Sequence, residues 1–357
     1  MAEFAGWAMP IQYTSGSIEE HRLVRQSAGL FDVSHMGQII VRGDGSAGYL
    51  DELVSSPIRS LAENQSAYGL LCLPSGGVID DVFVYRLAGE WLVVVNASNA
   101  ERDFQWFRDH LPGSGVEIED ASARYAMFAF QGPLAIGVMD TLCAGDSPAG
   151  SSRPAVSTIE RFWAARLTIA GVQCIIGRTG YTGEDGVEVF APASAALNVW
   201  EAVLAAAAAA GVACGPIGLA ARDSLRFEPG FPLYGHELTE DISPVQARLK
   251  WACDLEKDFI GAPAIREQAA SGVSPRLATV RLEERGVPRQ DYPVLQDGTP
   301  VGTVASGMYC PTVDAYCANV YVPAGLAGVG TKLDIEIRGS MKPAVVVKRP
   351  LYKPAYR

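Results

Sequence analysis

The chain has 357 residues, 48% of them hydrophobic and 19% charged, with a net charge of −11 and only four histidines. That length is too great for one compact core and predicts two or three domains, while the balance of residues is globular rather than disordered. The negative charge excludes nucleic acid as the principal partner, and no uninterrupted apolar run reaches the ~18 residues of a membrane span. The start, Met1-Ala2-Glu3-Phe4-Ala5-Gly6-Trp7, lacks a basic region, so no signal peptide is expected and a cytoplasmic location is. The cysteines are scattered without a C-x-x-C, which predicts core thiols in a reducing compartment rather than a metal or redox centre.

In chain order, Ser17 to Ala28 is predicted helical, with Ser17 and Glu20 at the spacing of a capping box. Gly37 to Arg42 reads as a strand and Ala47 to Leu53 as a helix. Strands at Tyr68 to Leu73 and Val78 to Leu87 are joined by the turn Pro74-Ser75-Gly76-Gly77, a hairpin. Trp91 to Asn96 is a further strand and Ala100 to Leu111 an amphipathic helix, so this region predicts helices layered on a small antiparallel sheet. Gly145 to Pro154 is turn-rich and predicts a loop. Two strands lie between Phe162 and Ile176 around Ala170-Gly171, another at Glu188 to Phe190, and a helix runs from Ala195 to Ala210, stopped by Gly211. Beyond Trp251 short strands (278–282, 302–305, 332–337) alternate with turn residues and predict an all-β C-terminal domain, with a linker expected near Ala264 to Pro275.

The adjacent acids Asp80 and Asp81 stand where the glycine turn gives way to an apolar strand. Alternation places Ile79, Asp81, Phe83 and Tyr85 on one face and Val78, Asp80, Val82 and Val84 on the other. A carboxylate among apolar and aromatic neighbours is costly to bury without a partner, so one of the two is a site candidate. Four other stretches share small, polar and aromatic character: Phe31 to Gly37, Asn96 to Asn99, Arg178 to Glu188, and Ala221 to Arg226. The three-residue spacing of Gly180, Gly183 and Gly186 matches no phosphate loop. Together these stretches suit a pocket for a planar heteroaromatic ligand, with carboxylates for ring N–H donors, aromatics for stacking and an arginine for an anionic tail. His35 is expected to be a hydrogen-bonded structural histidine, and no metal-ligand or Ser/His/Asp spacing is present.

Five blocks carry a resemblance. Phe4-Ala5-Gly6-Trp7-Ala8-Met9-Pro10, Phe31-Asp32-Val33-Ser34-His35-Met36, Gly76-Gly77-Val78-Ile79-Asp80-Asp81, Arg178-Thr179-Gly180-Tyr181-Thr182-Gly183-Glu184 and Leu233-Tyr234-Gly235-His236-Glu237 resemble, in order, the signature blocks of the aminomethyltransferase family, the T-protein of the glycine cleavage system. The resemblance implies an α+β, three-domain clover-leaf fold. Domain 1 would be split between residues 1–45 and 125–245, domain 2 would be a ferredoxin-like layer over 46–124 carrying Asp81, and residues 250–357 would form a β-barrel or jelly-roll-like domain. It also implies tetrahydrofolate as co-substrate and a lipoyl group supplied by a partner, the H-protein. The methylene of an aminomethyl-lipoyl group would pass to tetrahydrofolate with release of ammonia, leaving methylenetetrahydrofolate and dihydrolipoyl H-protein.

By the same resemblance Asp81 is the catalytic carboxylate, and Asp80 is left as a solvated or capping acid. Tyr68, Tyr85, Tyr181, Glu188 and Arg222 would bind folate. The simpler alternative for each is an ordinary core tyrosine or salt bridge. The family has more residues before its Phe-Ala-Gly-Trp block, Phe231 stands where some members have an aromatic hydroxyl, and Val313-Asp314-Ala315-Tyr316-Cys317 is atypical. Two other functions share the fold: a tetrahydrofolate-dependent S- or O-demethylase, and a folate-binding accessory protein of iron–sulfur assembly. The second carries a Lys-Gly-Cys block where this chain has Glu228-Pro229-Gly230-Phe231-Pro232-Leu233-Tyr234.

Overall fold

The computed structural model describes residues 1–145 and 155–353. Two sheets, antiparallel but for one pairing, meet face to face. The smaller is ordered Ser66–Cys72, Val78–Leu87, Glu90–Val95, Gly37–Arg42, Glu117–Asp120. Without its edge strand Ser66–Cys72, its chain order is fourth–first–third–second, the ferredoxin-like arrangement, with helices Ser46–Leu53 and Ala100–Asp109 on the outer face. This sheet draws in Gly37–Arg42, which the expected boundary at residue 45 leaves with the first domain. The larger sheet is ordered Ala164–Ile169, Val172–Gly177, Gly186–Pro192, Tyr125–Gln131, Ala28–Asp32, Cys214–Pro216, with only the last pairing parallel.

Alternation along the larger sheet's strands explains how it is buried on both faces. Leu30, Phe128 and Phe130 point to helices Ala135–Gly145 and Ala196–Ala209, while Phe31, Met127 and Ala129 point to the smaller sheet. The inter-sheet core is completed from the other side by Ile40, Tyr85, Leu92 and Val94. As expected, the C-terminal region is all-β. Its six strands close into a barrel around Val280, Val294, Val304, Val320 and Ile335. Among the described residues no helix is long and apolar enough to cross a membrane.

Several local expectations are corrected. Ser17 is the first residue of helix Ser17–Gln26, and Gly16 precedes it as the cap without a side-chain bond. Glu20 turns inward instead, fully buried, accepting from Tyr13 N at 2.5 Å and Gly218 N at 2.8 Å. Most of the supposed linker is the helix Ala262–Ser271, whose Ile265 packs against Leu70 and Val78, so only residues 272–275 separate it from the barrel. A register shift between Leu71 and Cys72 breaks the alternation ahead of Asp80, and Ile79 joins Val82 and Val84 on the helix-facing side. Residues 146–154 of the expected loop lie outside the described residues.

The turn before the aspartates is held tightly from outside. A Cβ on Gly77 would lie 1.7 Å from the carbonyl oxygen of Glu240, a backbone atom in a segment whose Thr239 and Ile242 carbonyls accept from Val78 N at 3.1 and 3.0 Å. Gly77→Ala must therefore displace backbone, and it is expected to cost about 1–3 kcal/mol. Calorimetry should show a lowered Tm, and an unchanged Tm would contradict this packing.

Two buried ionic nodes join the parts. Arg226, on helix Leu219–Phe227, reaches Asp223 at 2.8 Å and Glu237 at 2.9 Å. Glu237 in turn accepts from Ser306 Oγ and, at 2.7 Å, from Asn319 Nδ2, both barrel side chains. Burial alone would push the Glu237 carboxyl up, but Arg226 and these donors hold it below the usual carboxylate range. At the second node His21 bonds Ser224 Oγ and Thr312 Oγ1, both at 2.8 Å, and lies 3.3 Å from Glu228. The connectivity is that of a hydrolytic triad, but His21, Ser224 and Glu228 are all buried and none lines the cavity between the sheets, so the node is structural.

Candidate functional site

A cavity of about 650 Å3 opens between the two sheets, within the size range of sites that enclose one small ligand. The smaller sheet contributes Tyr68, Asp81 and Phe83, and the larger contributes Glu188. Arg222 enters from helix Leu219–Phe227 and Tyr181 from the glycine-bearing loop before Gly186. Five of the six expected site residues thus share one wall-to-wall space, while Tyr85 lies fully buried behind Glu188.

Strand alternation separates the two aspartates as expected, but Asp80 is neither solvated nor a cap. It is fully buried on the helix-facing side, accepting from Asn96 N at 2.9 Å, Asn96 Nδ2 at 2.8 Å and Asn99 Nδ2 at 2.7 Å. Asp81 faces the cavity. Its Oδ1 accepts from the same Asn96 Nδ2 at 2.9 Å and its Oδ2 from the Tyr68 hydroxyl at 3.1 Å. Burial, with Asp80 adjacent, pushes the Asp81 carboxyl up to about 7, against the pull of the Tyr68 and Asn96 bonds. Behind Asp80, the buried Asp103 carboxyl has no donor to either oxygen among the described residues and can only give its own proton to Asp80. Burial and the Asp80 charge push it up to about 11, so it is a neutral acid at physiological pH.

Across the cavity, Glu188 Oε2 accepts from Tyr85 at 3.1 Å and Thr179 Oγ1 at 2.5 Å, and burial raises its carboxyl. Both donors converge on one oxygen and leave Oε1 for a ligand. The guanidinium of Arg222 has no ion-pair partner within salt-bridge distance among the described residues. It sits with Cζ 5.1 Å from the Tyr181 ring centroid, a cation–π distance. Tyr181 spends its hydroxyl on the Pro232 carbonyl and stacks its ring on Phe231, 5.9 Å away and 18° from parallel. Phe231 thus offers a ring face where a hydroxyl was noted to be missing. At Gly180 a Cβ would lie 1.9 Å from Gln131 Oε1. That amide is itself pinned by Thr179 O, Val187 O and Thr182 Oγ1, which explains the need for glycine there.

His35 departs from expectation. It is buried with its ring edge-on to Phe4 at 5.5 Å, and neither ring nitrogen has a hydrogen-bond partner among the described residues. Burial, aided by Arg222, pushes it down to about 3, so it is a neutral packing residue and no base at working pH.

Comparison with known proteins decides the family. The GCVT N-terminal domain matches residues 1–257, and the glycine cleavage T-protein C-terminal barrel domain matches residues 276–353. The chain belongs to the glycine cleavage T-protein family. It is 42% identical over 355 residues to an aminomethyltransferase of Moorella thermoacetica, covering 99% of this chain and 94% of that one. To an aminomethyltransferase of Herpetosiphon aurantiacus it is 41% identical over 360 residues, covering 100% and 95%. The crystal structure of the glycine cleavage system aminomethyltransferase T from Bartonella henselae superposes with a TM-score of 0.88 at 31% identity, covering 99% of this chain and 94% of that one. The expected α+β aminomethyltransferase fold is therefore present, and the protein is an enzyme of that class.

Within this T-protein frame, three lining residues were not foreseen. Asn96 had been noted only as part of a polar stretch, yet its amide bridges both aspartates. Trp251 is 71% exposed but lines the cavity and stacks on Tyr68 at 5.6 Å, and Phe162, 44% exposed, stacks on Phe83 at 5.9 Å. Large aromatics left exposed beside a cavity are a recognisable signal once structure is known. In sequence they were only the last residue before a texture change and the first of a strand region.

Proposed function

We propose that the chain transfers the methylene of an S-aminomethyl-lipoyl group, carried by the H-protein, to tetrahydrofolate bound between the two sheets. The observation that carries this reading is the pairing of Asp81 and Glu188 from opposite sheets on one cavity, Glu188 with both protein donors on Oε2 and Oε1 left for a ligand, Asp81 held by one donor on each oxygen. The residues present fit a pterin. Glu188 Oε1 can accept from the ring N3–H and 2-amino group, a charge-assisted pair that sets orientation as well as affinity. Arg222 and the Tyr181–Phe231 stack supply a cation and flat apolar faces, and Tyr68, Trp251, Phe83 and Phe162 flank the approach with aromatic surface. Tyr85 acts through Glu188 as a positioning residue rather than a contact.

In the reaction the methylene carbon gains bonds to N5 and N10 and loses those to nitrogen and sulfur. The two protons leaving N5 and N10 end on the departing ammonia and on the lipoyl sulfur, so nothing is oxidised or reduced. Asp81, raised toward neutrality, is placed to orient the reacting nitrogen and take its proton. The deciding assay mixes the protein, tetrahydrofolate and aminomethylated H-protein and measures ammonia. Release that does not depend on tetrahydrofolate sinks the reading. Glu188→Gln, which gives up the charge of the ring contact, is expected to weaken tetrahydrofolate binding roughly 10- to 100-fold by calorimetric titration. An unchanged Kd would remove Glu188 from the ligand site.

A further inference from the structure

Asn96 Nδ2 stands within hydrogen-bond distance of Asp80 Oδ1 at 2.8 Å, Asp81 Oδ1 at 2.9 Å and the Asp81 carbonyl at 3.2 Å. It is the only side-chain link between the buried acid and the cavity acid among the described residues. Asp80 also accepts from the Asn96 backbone N–H, so that residue is clamped at two points and its amide cannot turn its oxygen toward Asp81 without losing both carboxylates. With Asn96 on Oδ1 and the Tyr68 hydroxyl on Oδ2, the Asp81 carboxylate is held at both oxygens while it faces the cavity. Asp80 in turn is gripped by Asn99 from the helical turn Ala97–Asn99. We infer that Asp80 is a positioning residue for the transfer, acting through the Asn96 amide to fix the orientation in which the Asp81 carboxylate meets the reacting nitrogen. This inference rests on the role given to Asp81 above.

The clamp also sets the charge environment of Asp81. Facing it are Asp80 on its own strand, Tyr68 on the neighbouring strand, Asp103 from helix Ala100–Asp109 and Tyr181 from the loop beyond the cavity. Arg222 and Glu188 complete the same cavity. Burial first and the Asp80 charge second push the Asp81 carboxyl up, and the Tyr68 and Asn96 donors pull it down. Opposite signs follow for two substitutions. Asp80→Asn removes the repulsion and lowers the value. Asn96→Ala removes the donor while Asp80 keeps its charge, and raises it.

The test is the pH dependence of kcat/KM for ammonia release, measured on the full chain with aminomethylated H-protein. The acid limb is expected to move down by about one unit or more in Asp80→Asn and up in Asn96→Ala, with kcat reduced in both. A residue that only stabilises the fold would lower activity at every pH and leave the limb in place. Limbs coincident with wild type, or shifted the same way in both variants, overturn the inference. If Asp80→Asn does not fold, Asn96→Ala decides alone, and a limb that fails to rise overturns it. Asp81→Asn is run alongside. Wild-type turnover in that variant would overturn the parent reading of Asp81. A dead Asp81 variant with unmoved limbs in the other two would overturn this inference only.

Discussion

Asp81→Asn is expected to lower kcat about 10^2- to 10^4-fold, the usual worth of a positioned general base, while tetrahydrofolate still binds. The substitution keeps the size of the side chain and its capacity to accept from Tyr68, but it cannot take a proton. The pH profile supplies the sharper check. Wild-type turnover should rise with pH through a limb near the Asp81 value of about 7, because below it the carboxyl holds its proton. The residual rate of the variant should lack that limb. Stability should move the other way. A folded-state value raised above the unfolded one means that the group's contribution is fully present at low pH and is lost as pH rises from the ordinary carboxylate range through about 7. Removing the charge therefore raises Tm above neutrality and leaves it unchanged in acid. A variant that is slower and also less stable at high pH would show that Asp81 is a structural acid.

Glu237→Ala is expected to cost about 3 kcal/mol, the low end of the penalty for breaking a buried ion pair, because Arg226 loses its buried partner and keeps only the part-exposed Asp223. Arg226 is almost wholly buried, and one of its Nη atoms already lacks a partner, so water cannot readily replace the lost carboxylate. Ser306 and Asn319 lose their acceptor in the same step. Because the folded-state carboxyl is held below its ordinary value, its contribution is present above the unfolded carboxylate range and is lost as pH falls through the lower folded value. The deficit, read from urea melts, should be full at neutral pH and shrink in strong acid. An undiminished midpoint at neutral pH would show that the pair contributes nothing.

The candidate site was legible where one strand's own periodicity decides the question, and obscure where donors arrive from elsewhere. Alternation alone sent Asp80 and Asp81 to opposite faces, and that separation holds. It failed at Ile79, just before the pair, because Leu71 and Cys72 pair with Asp80 and Val78 and leave Ile79 as an extra, bulged residue. Asp80 looked solvated because its satisfaction comes from Asn96 and Asn99, on a turn two strand lengths further along the chain. Glu20 fitted a helix-start pattern, but the carboxylate that could have capped was drawn inward by the Gly218 amide, almost two hundred residues away. The helix Ala262–Ser271 was mistaken for a linker since its apolar face is short and its partners lie on the Ser66–Leu87 hairpin. Propensity and pattern report what a segment does with its neighbours in sequence. They are silent about a polar partner that only folding supplies.

Helix Leu219–Phe227 carries Arg222 into the cavity and, one turn later, Arg226 into the buried pair whose carboxylate is held by the barrel side chains Ser306 and Asn319. The C-terminal barrel is consequently not an exchangeable module, even though it matches a family model of its own. A graft of a foreign barrel, however well it folds by itself, has to bring a hydroxyl and an amide to the same two places, or the buried carboxylate that answers Arg226 loses two of its donors one helical turn from the cavity's own arginine.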